Sequence, residues 1–289
     1  MKPRLICSFA IPVVCFIVSN SLGAAEYFVN KQGSDASDGL GRDKAFLTIQ
    51  KGLNSITSGD TLTIGPGEYL ESATRTNLGE SSKTTLIRAE INGTVILRGD
   101  IPAPAPRAVE GCKYIYAFNL TNKVQCVNEV DTLTMYSVMP SIEELEFVPG
   151  SYYFDEEKQT VYFSTSDWLP PARHRLTVSV INNSGLLLYH PTNVTVEGLA
   201  ACGFNKDRQE TQAGQLYGSR AGIGIDRGAD NVIRHCTAFL NGTGIAIQSS
   251  KNCLVEHCVS YGNYTKFGSV SGNICNWNTP EEGGIIRHC

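Results

Sequence analysis

The sequence carries no excess of positive charge. Its 24 Lys and Arg stand against 28 Asp and Glu, for a net charge of −4, so the basic footprint of a nucleic-acid surface is missing. It also lacks an apolar run long enough to span a bilayer comfortably. The N-terminal run at 6–18 is about a dozen residues, where a span takes about 20. None of the ten cysteines forms a CxxC, which removes the commonest spacing of zinc and thiol-redox motifs. Nothing resembling a capping element follows the last copy of a repeated phrase on which the chain stops. That ending leads us to expect a C-terminal truncation.

What is present begins with a leader-like start. Lys2 and Arg4 precede the apolar run, Ser19-Asn20-Ser21 follows it, and Gly23-Ala24-Ala25 supplies small residues. This is the pattern of a cleavable export signal over 1–25. Its removal takes away two positive charges and leaves enough chain for one large all-β domain, or one domain with an inserted lobe. The expected location is secreted, periplasmic or cell-surface, with no membrane span in the mature chain and a monomeric state.

The repeated phrase organises the C-terminal half. Ile233-Arg234-His235-Cys236 returns as Val255-Glu256-His257-Cys258 and as Ile286-Arg287-His288-Cys289, after 22 and then 31 residues. A period in the low twenties, with β-branched residues and Gly/Asn turns, is the signature of stacked parallel β rungs. Rung equivalence sets Cys236, Cys258 and Cys289 about 4.8 Å apart, with parallel Cβ vectors that suit a disulfide torsion poorly. A ladder of buried thiols is the reading that follows. His235, His257 and His288 stack beside it, as turn residues or as a metal-binding row.

Further rungs align on Leu186-Leu187-Leu188, Ile223-Gly224-Ile225 and Ile245-Ala246-Ile247. Asn193, Asn231 and Asn252 then open the next strands, with amides able to bond along a ladder. Upstream, Phe46, Ile49, Leu53 and Ile56 share one helical face behind Thr48 as N-cap. Such a helix can close the open end of a coil. Between 101 and 176 the rung rhythm disappears, and 151–164 reads as a hairpin by alternation and turn chemistry.

Residues 27–72, YFVNKQGSDASDGLGRDKAFLTIQKGLNSITSGDTLTIGPGEYLES, carry an aromatic extended opening, GSD and DG turns, then TIQ, GDT and PGEY. This resembles the N-terminal segment of secreted right-handed parallel β-helix proteins of the pectate-lyase-like superfamily. It departs in having Ala45-Phe46 where a proline is usual. The resemblance implies an all-β solenoid with a capping helix over 26–100, a small antiparallel β lobe over 101–176 like that of β-helix glycosidases, and further rungs over 177–289. The superfamily includes lyases, hydrolases, epimerases and non-enzymes, so the fold leaves the chemistry open.

In the aligned rungs Leu187, Gly224 and Ala246 make a small-residue floor on which a sugar ring can lie. Beside it come Tyr189, Asp226 and Gln248, then Arg227. Asp226 is the best-placed acid, as general base, nucleophile or calcium ligand, and otherwise as a solvated turn residue paired with Arg227. Glycoside hydrolysis needs a second carboxylate, for which Glu281 and Glu282 after Pro280, or Glu210, are the candidates. Trp277 can stack on a sugar face. A lyase would need the base and charge of Lys206, Arg208 or Arg220. Asp35 and Asp38 can hold calcium, the one cofactor that comes into question.

The expectation is therefore an exported protein acting on an extracellular polysaccharide, as a glycoside hydrolase before a lyase because of the inserted lobe. The catalytic candidates are Asp226, Glu281 and Glu282, with Arg227, Tyr189, Gln248 and Trp277 for substrate. The alternative is a non-catalytic glycan-binding or structural coil.

Overall fold

The computed structural model describes residues 23–205, 221–264, 272–277 and 283–289. Its strands stack into three parallel sheets that the chain visits in turn. Face one contains Ala73–Thr76, Leu186–Tyr189, Ala221–Asp226, Thr243–Gln248 and Ile274–Trp277. Face two runs from Glu26–Val29 through Thr61–Ile64, Thr85–Ala89, Val194–Glu197, Val232–Arg234 and Leu254–Glu256 to Ile285–Arg287. Face three holds Gly67–Tyr69, Val95–Arg98, Leu199–Cys202, Thr237–Phe239 and Val259–Tyr261. Ile233 pairs with Val255, and Val255 with Ile286, so the repeated phrase is one position on successive coils.

Alternation within each strand decides what is buried. On face two, Leu62, Ile87, Val196, Ile233 and Val255 form one inward ladder, each at most 1% exposed. On face one the inward ladder is Ala73, Leu186, Ile223 and Ile245. Each such aliphatic contributes about 1.5–3 kcal/mol on leaving water, and stacking like on like keeps the coil's cross-section constant from rung to rung. The helix Ile49–Ser55 packs on Glu26–Val29, Thr61–Ile64 and Ala73–Thr76 with Ile49 and Leu53 fully buried. Thr48 caps it by accepting from Lys51 N at 3.2 Å, and Glu71 accepts from the amides of Ile49 and Gln50. The coil's N-terminal end is thus closed by an amphipathic helix, as its periodicity implied.

Buried turn amides are satisfied by side chains that bridge coils. Asn241 donates to Ala201 O and to Asn263 Oδ1, each at 3.0 Å, and accepts from Phe204 N at 3.1 Å. Asn231 works likewise, accepting from Val194 N and donating to Pro191 O. Here the register departs from the sequence reading by one residue. Asn193, Asp230 and Asn252 occupy the equivalent left-handed turn positions. Asn231 instead aligns with Val194 and Cys253 and points inward, so a ladder of three asparagines does not form.

The eight described cysteines are free thiols. Cys236 and Cys258 are buried on successive coils, and burial pushes the Cys236 thiol well up. The three histidines stack on the exposed turn just before them, with ring centroids 5.3 and 5.0 Å apart and planes within 9° of parallel. Parallel rings set their nitrogens side by side and do not aim them at one point, which suits stacking better than metal coordination.

The inserted segment leaves face three after Val95–Arg98 and changes to antiparallel pairing. The expected hairpin forms from Ser151–Asp155 and Thr160–Ser164, with Tyr116–Asn119 against its second strand. Leu176–Ser179 falls where the sequence suggested a return to the coil. It lies instead antiparallel between Cys126–Glu129 and Asp100–Pro102. The lobe docks on the coil through Cys126 and Met135 against Leu240. Its root is held by Asn205, which donates to Ser179 Oγ and Leu240 O.

These bonds predict a contrast. Asn241→Ala strips partners from buried backbone groups and is expected to cost about 1–3 kcal/mol. Asn252→Gly, on an exposed turn whose left-handed φ of 50° glycine adopts without strain, should stay within about 0.5 kcal/mol. Urea denaturation of the two variants checks the difference, and equal midpoints would contradict the bridging role of Asn241.

Candidate functional site

Face one presents its outward residues in straight rows. Thr74, Leu187, Gly224, Ala246 and Cys275 make one row. Thr76, Tyr189, Asp226, Gln248 and Trp277 make the next. Gly224 and Ala246 add little side chain to the first row, beside Asp226 and Gln248 of the second. Asp226 is the one acid in either row. Alignment brings Tyr189, Asp226 and Gln248 together on adjacent coils and sets the backbone of Trp277 one coil further. The side chain of Trp277 and residues Glu210, Glu281, Glu282, Lys206, Arg208 and Arg220 lie outside the described residues.

Asp226 ends its strand because the next residue, Arg227, takes a left-handed conformation with φ of 54°. The same turn is made by His190 and Ser249 on neighbouring coils. Although it faces outward, Asp226 is only 5% exposed. Its Oδ1 is buried without a hydrogen-bond partner among the described residues. Desolvation raises its pKa above the ordinary carboxylate value, opposed by the positive fields of Arg227 and His190. Asp226 is therefore not the solvated turn residue that its Asp-Arg setting suggested. The Arg227 guanidinium acts on Asp226 through its field. A buried, under-bonded carboxyl with a raised pKa can deliver a proton to a bound oxygen when protonated, or take one from water when ionised.

The acids Asp35 and Asp38 serve local structure. Asp35 accepts from Leu47 N, Thr48 N and the Thr48 hydroxyl. Asp38 accepts from Leu40 N and lies 3.6 Å from Lys44 Nζ.

A second polar cluster in the lobe escaped the sequence reading. Glu129, fully buried, ends the strand Cys126–Glu129. Its Oε1 accepts from Ser166 Oγ at 2.6 Å and Thr132 Oγ1 at 2.7 Å. Its Oε2 accepts from the Tyr136 hydroxyl and from Ser166 N. His174 Nδ1 lies 3.2 Å from Glu129 Oε1 and 3.1 Å from Asp131 Oδ2, while Nε2 lies 3.1 Å from Asp167 Oδ1. Burial pulls the His174 pKa down, but Asp131, Glu129 and Asp167 together hold it above the ordinary value. No short spacing announces this group: a lone histidine 43 residues beyond Asp131 carries no motif.

The right-handed β-helix region of known proteins matches residues 161–285 as a family model. Two solved structures share the architecture. One is XylC with xylose, at TM-score 0.50 and 16% identity, covering 81% of this chain and 50% of that one. The other is described as a glycoside hydrolase, at TM-score 0.54 and 12% identity, covering 82% of this chain and 66% of that one. The chain thus spans half to about two thirds of their length. No curated protein matches it in sequence. The fold is a right-handed parallel β-helix, as the opening segment implied. At these identities the likeness concerns architecture.

Burial of Asp226 has a measurable consequence. A carboxyl whose folded pKa exceeds its unfolded one destabilises the fold as pH rises through that interval, and not below it. Asp226→Asn should therefore be the more stable protein at pH 7. The gap should close as pH falls into the ordinary carboxylate range. Thermal unfolding across pH checks this, and a variant less stable at pH 7 would contradict it.

Proposed function

We propose that this chain acts on an extracellular polysaccharide bound along the rows of face one, as a glycoside hydrolase with Asp226 as one of its two carboxyl groups. The observation that carries the reading is Asp226 itself: outward, 95% removed from solvent by the same measure that leaves it 5% exposed, and lacking a partner for Oδ1 among the described residues. A buried polar atom without a partner costs stability, and active sites are where such costs are retained. Leu187, Gly224 and Ala246 serve in this reading as the floor for a sugar ring, with Tyr189, Gln248 and Arg227 supplying hydrogen bonds and charge beside it. Trp277 is proposed as a stacking residue. Glu281 and Glu282 are the proposed partners across the scissile bond. In such a pair the raised acid protonates the leaving oxygen while the second carboxylate attacks or activates water. Calcium, if it takes part, would need ligands besides Asp226, since a calcium site takes six to eight oxygens.

The likeness to XylC with xylose and to a glycoside hydrolase supports a carbohydrate substrate and favours hydrolysis over elimination. An exported monomer is part of the same proposal, supported by the leader pattern of 1–25. Among the described residues no helix is long and apolar enough to cross a membrane. A glycan-binding coil without catalysis is the second reading, favoured by the single acid in the described outward rows.

Asp226→Asn tested on a panel of plant and algal glycans separates the two. Hydrolysis predicts a loss of kcat of about a hundredfold or more with glycan binding retained. Release of reducing ends at the wild-type rate would remove Asp226 from the chemistry. Glycan binding by both proteins with no turnover by either would favour the binding coil.

A further inference from the structure

The Glu129 cluster lies in the inserted lobe, on strands separate from face one, and the reading of Asp226 makes no use of it. His174 Nδ1 and the two carboxylate oxygens beside it have the spacing of neighbours in a metal's ligand shell. With ligand bonds of about 2.1 Å and angles between octahedral and tetrahedral, neighbouring ligand atoms stand about 3.0–3.4 Å apart. His174 Nδ1 is 3.2 Å from Glu129 Oε1 and 3.1 Å from Asp131 Oδ2, and all three atoms lie within 4.8 Å of one another. We propose that Glu129, Asp131 and His174 form a site for one divalent cation of the manganese or zinc class, which clasps the inserted lobe.

Three further observations point the same way. The other nitrogen of His174 faces Asp167 Oδ1 at 3.1 Å, the outer-shell carboxylate that commonly orients a metal-bound imidazole. Asp131 turns Oδ1 to Arg175 N at 2.8 Å, which leaves Oδ2 aimed into the cluster. The charge also favours a cation. Three carboxylates around one imidazolium leave two negative charges in a site where the His174 and Glu129 side chains are 5% and 0% exposed. A divalent ion with neutral imidazole leaves one. The ligands come from the end of Cys126–Glu129, the loop after it and the residue after the turn Pro171–Arg173. Asp131, 39% exposed, gives an ion its way in.

Manganese is the better probe, because eight thiols could take up zinc and manganese prefers carboxylate and imidazole. The full chain is stripped with chelator and titrated with Mn2+ alone, free aquo-ion being followed by electron paramagnetic resonance. One ion should bind per chain, with thermal unfolding shifted upward as the metal concentration rises. Asp131→Asn, on an exposed side chain that does not endanger folding, should weaken binding at least tenfold. Asp167→Asn should weaken it by about tenfold to a hundredfold. Binding should also fall as pH is lowered, since a proton competes for His174 Nδ1. Asp226→Asn should bind Mn2+ as the wild type does, which keeps this test separate from that of the glycan site. Absence of saturable binding at 0.1 mM Mn2+ (about a hundredfold above a micromolar Kd) would overturn the proposal. So would binding that neither variant alters, and the cluster would then be a proton-bridged clasp.

Discussion

Stacking of parallel strands in register is the constraint on which this molecule depends. Once Ile233 pairs with Val255 and Val255 with Ile286, every side chain acquires a neighbour about 4.8 Å above and below it. An inward residue then meets copies of its own kind, and the core becomes a set of aliphatic columns. An outward residue becomes part of a row. The same rule orders charges on face two, where Glu197, Arg234, Glu256 and Arg287 follow one another on successive coils and pair by turns. Exposed pairs of this kind contribute little stability, but alternating signs disfavour a slipped register.

The rule also explains where chemistry can sit. A coil of identical rungs has no natural cavity, so a site arises where one rung departs from its neighbours. On face one the departure is chemical: an acid between Tyr189 and Gln248, beside a floor of small residues. In the lobe it is topological. Antiparallel strands there bring together Glu129, Asp131, Asp167 and His174 from separate loops, and burial obliges every carboxylate oxygen of Glu129 to find a donor.

Much of this was legible in the residues. The 22-residue recurrence, the alternation in the rung strands and the helical face of Ile49 and Leu53 reflect local periodicity and appear in the structure, whereas Phe46, bridged to Val29, and Ile56, extended after the last turn, lie outside the helix. The alignment of Tyr189, Asp226 and Gln248 followed from counting along equivalent strands. The one-residue displacement of Asn231 did not, because Asp230 and Asn231 both suit a turn and only the packing of Pro191 and Val194 above them selects which faces inward. Leu176–Ser179 reads equally well as a rung or as a lobe strand. Its partners decide, and both Cys126–Glu129 and Asp100–Pro102 are far from it in sequence.

Sequence alone determined the parallel coil, its capping helix, the presence of a lobe without rung rhythm and the row that holds Asp226. These rest on periods of two, of 3.6 and of about 22 residues, which a chain displays without being folded. Tertiary structure decided that Asp226 is buried while facing outward, that one of its oxygens lacks a partner among the described residues, and that His174 stands among three carboxylates. Burial and convergence are properties of what surrounds a side chain, and residues brought together by antiparallel pairing leave no spacing in the sequence from which to read them.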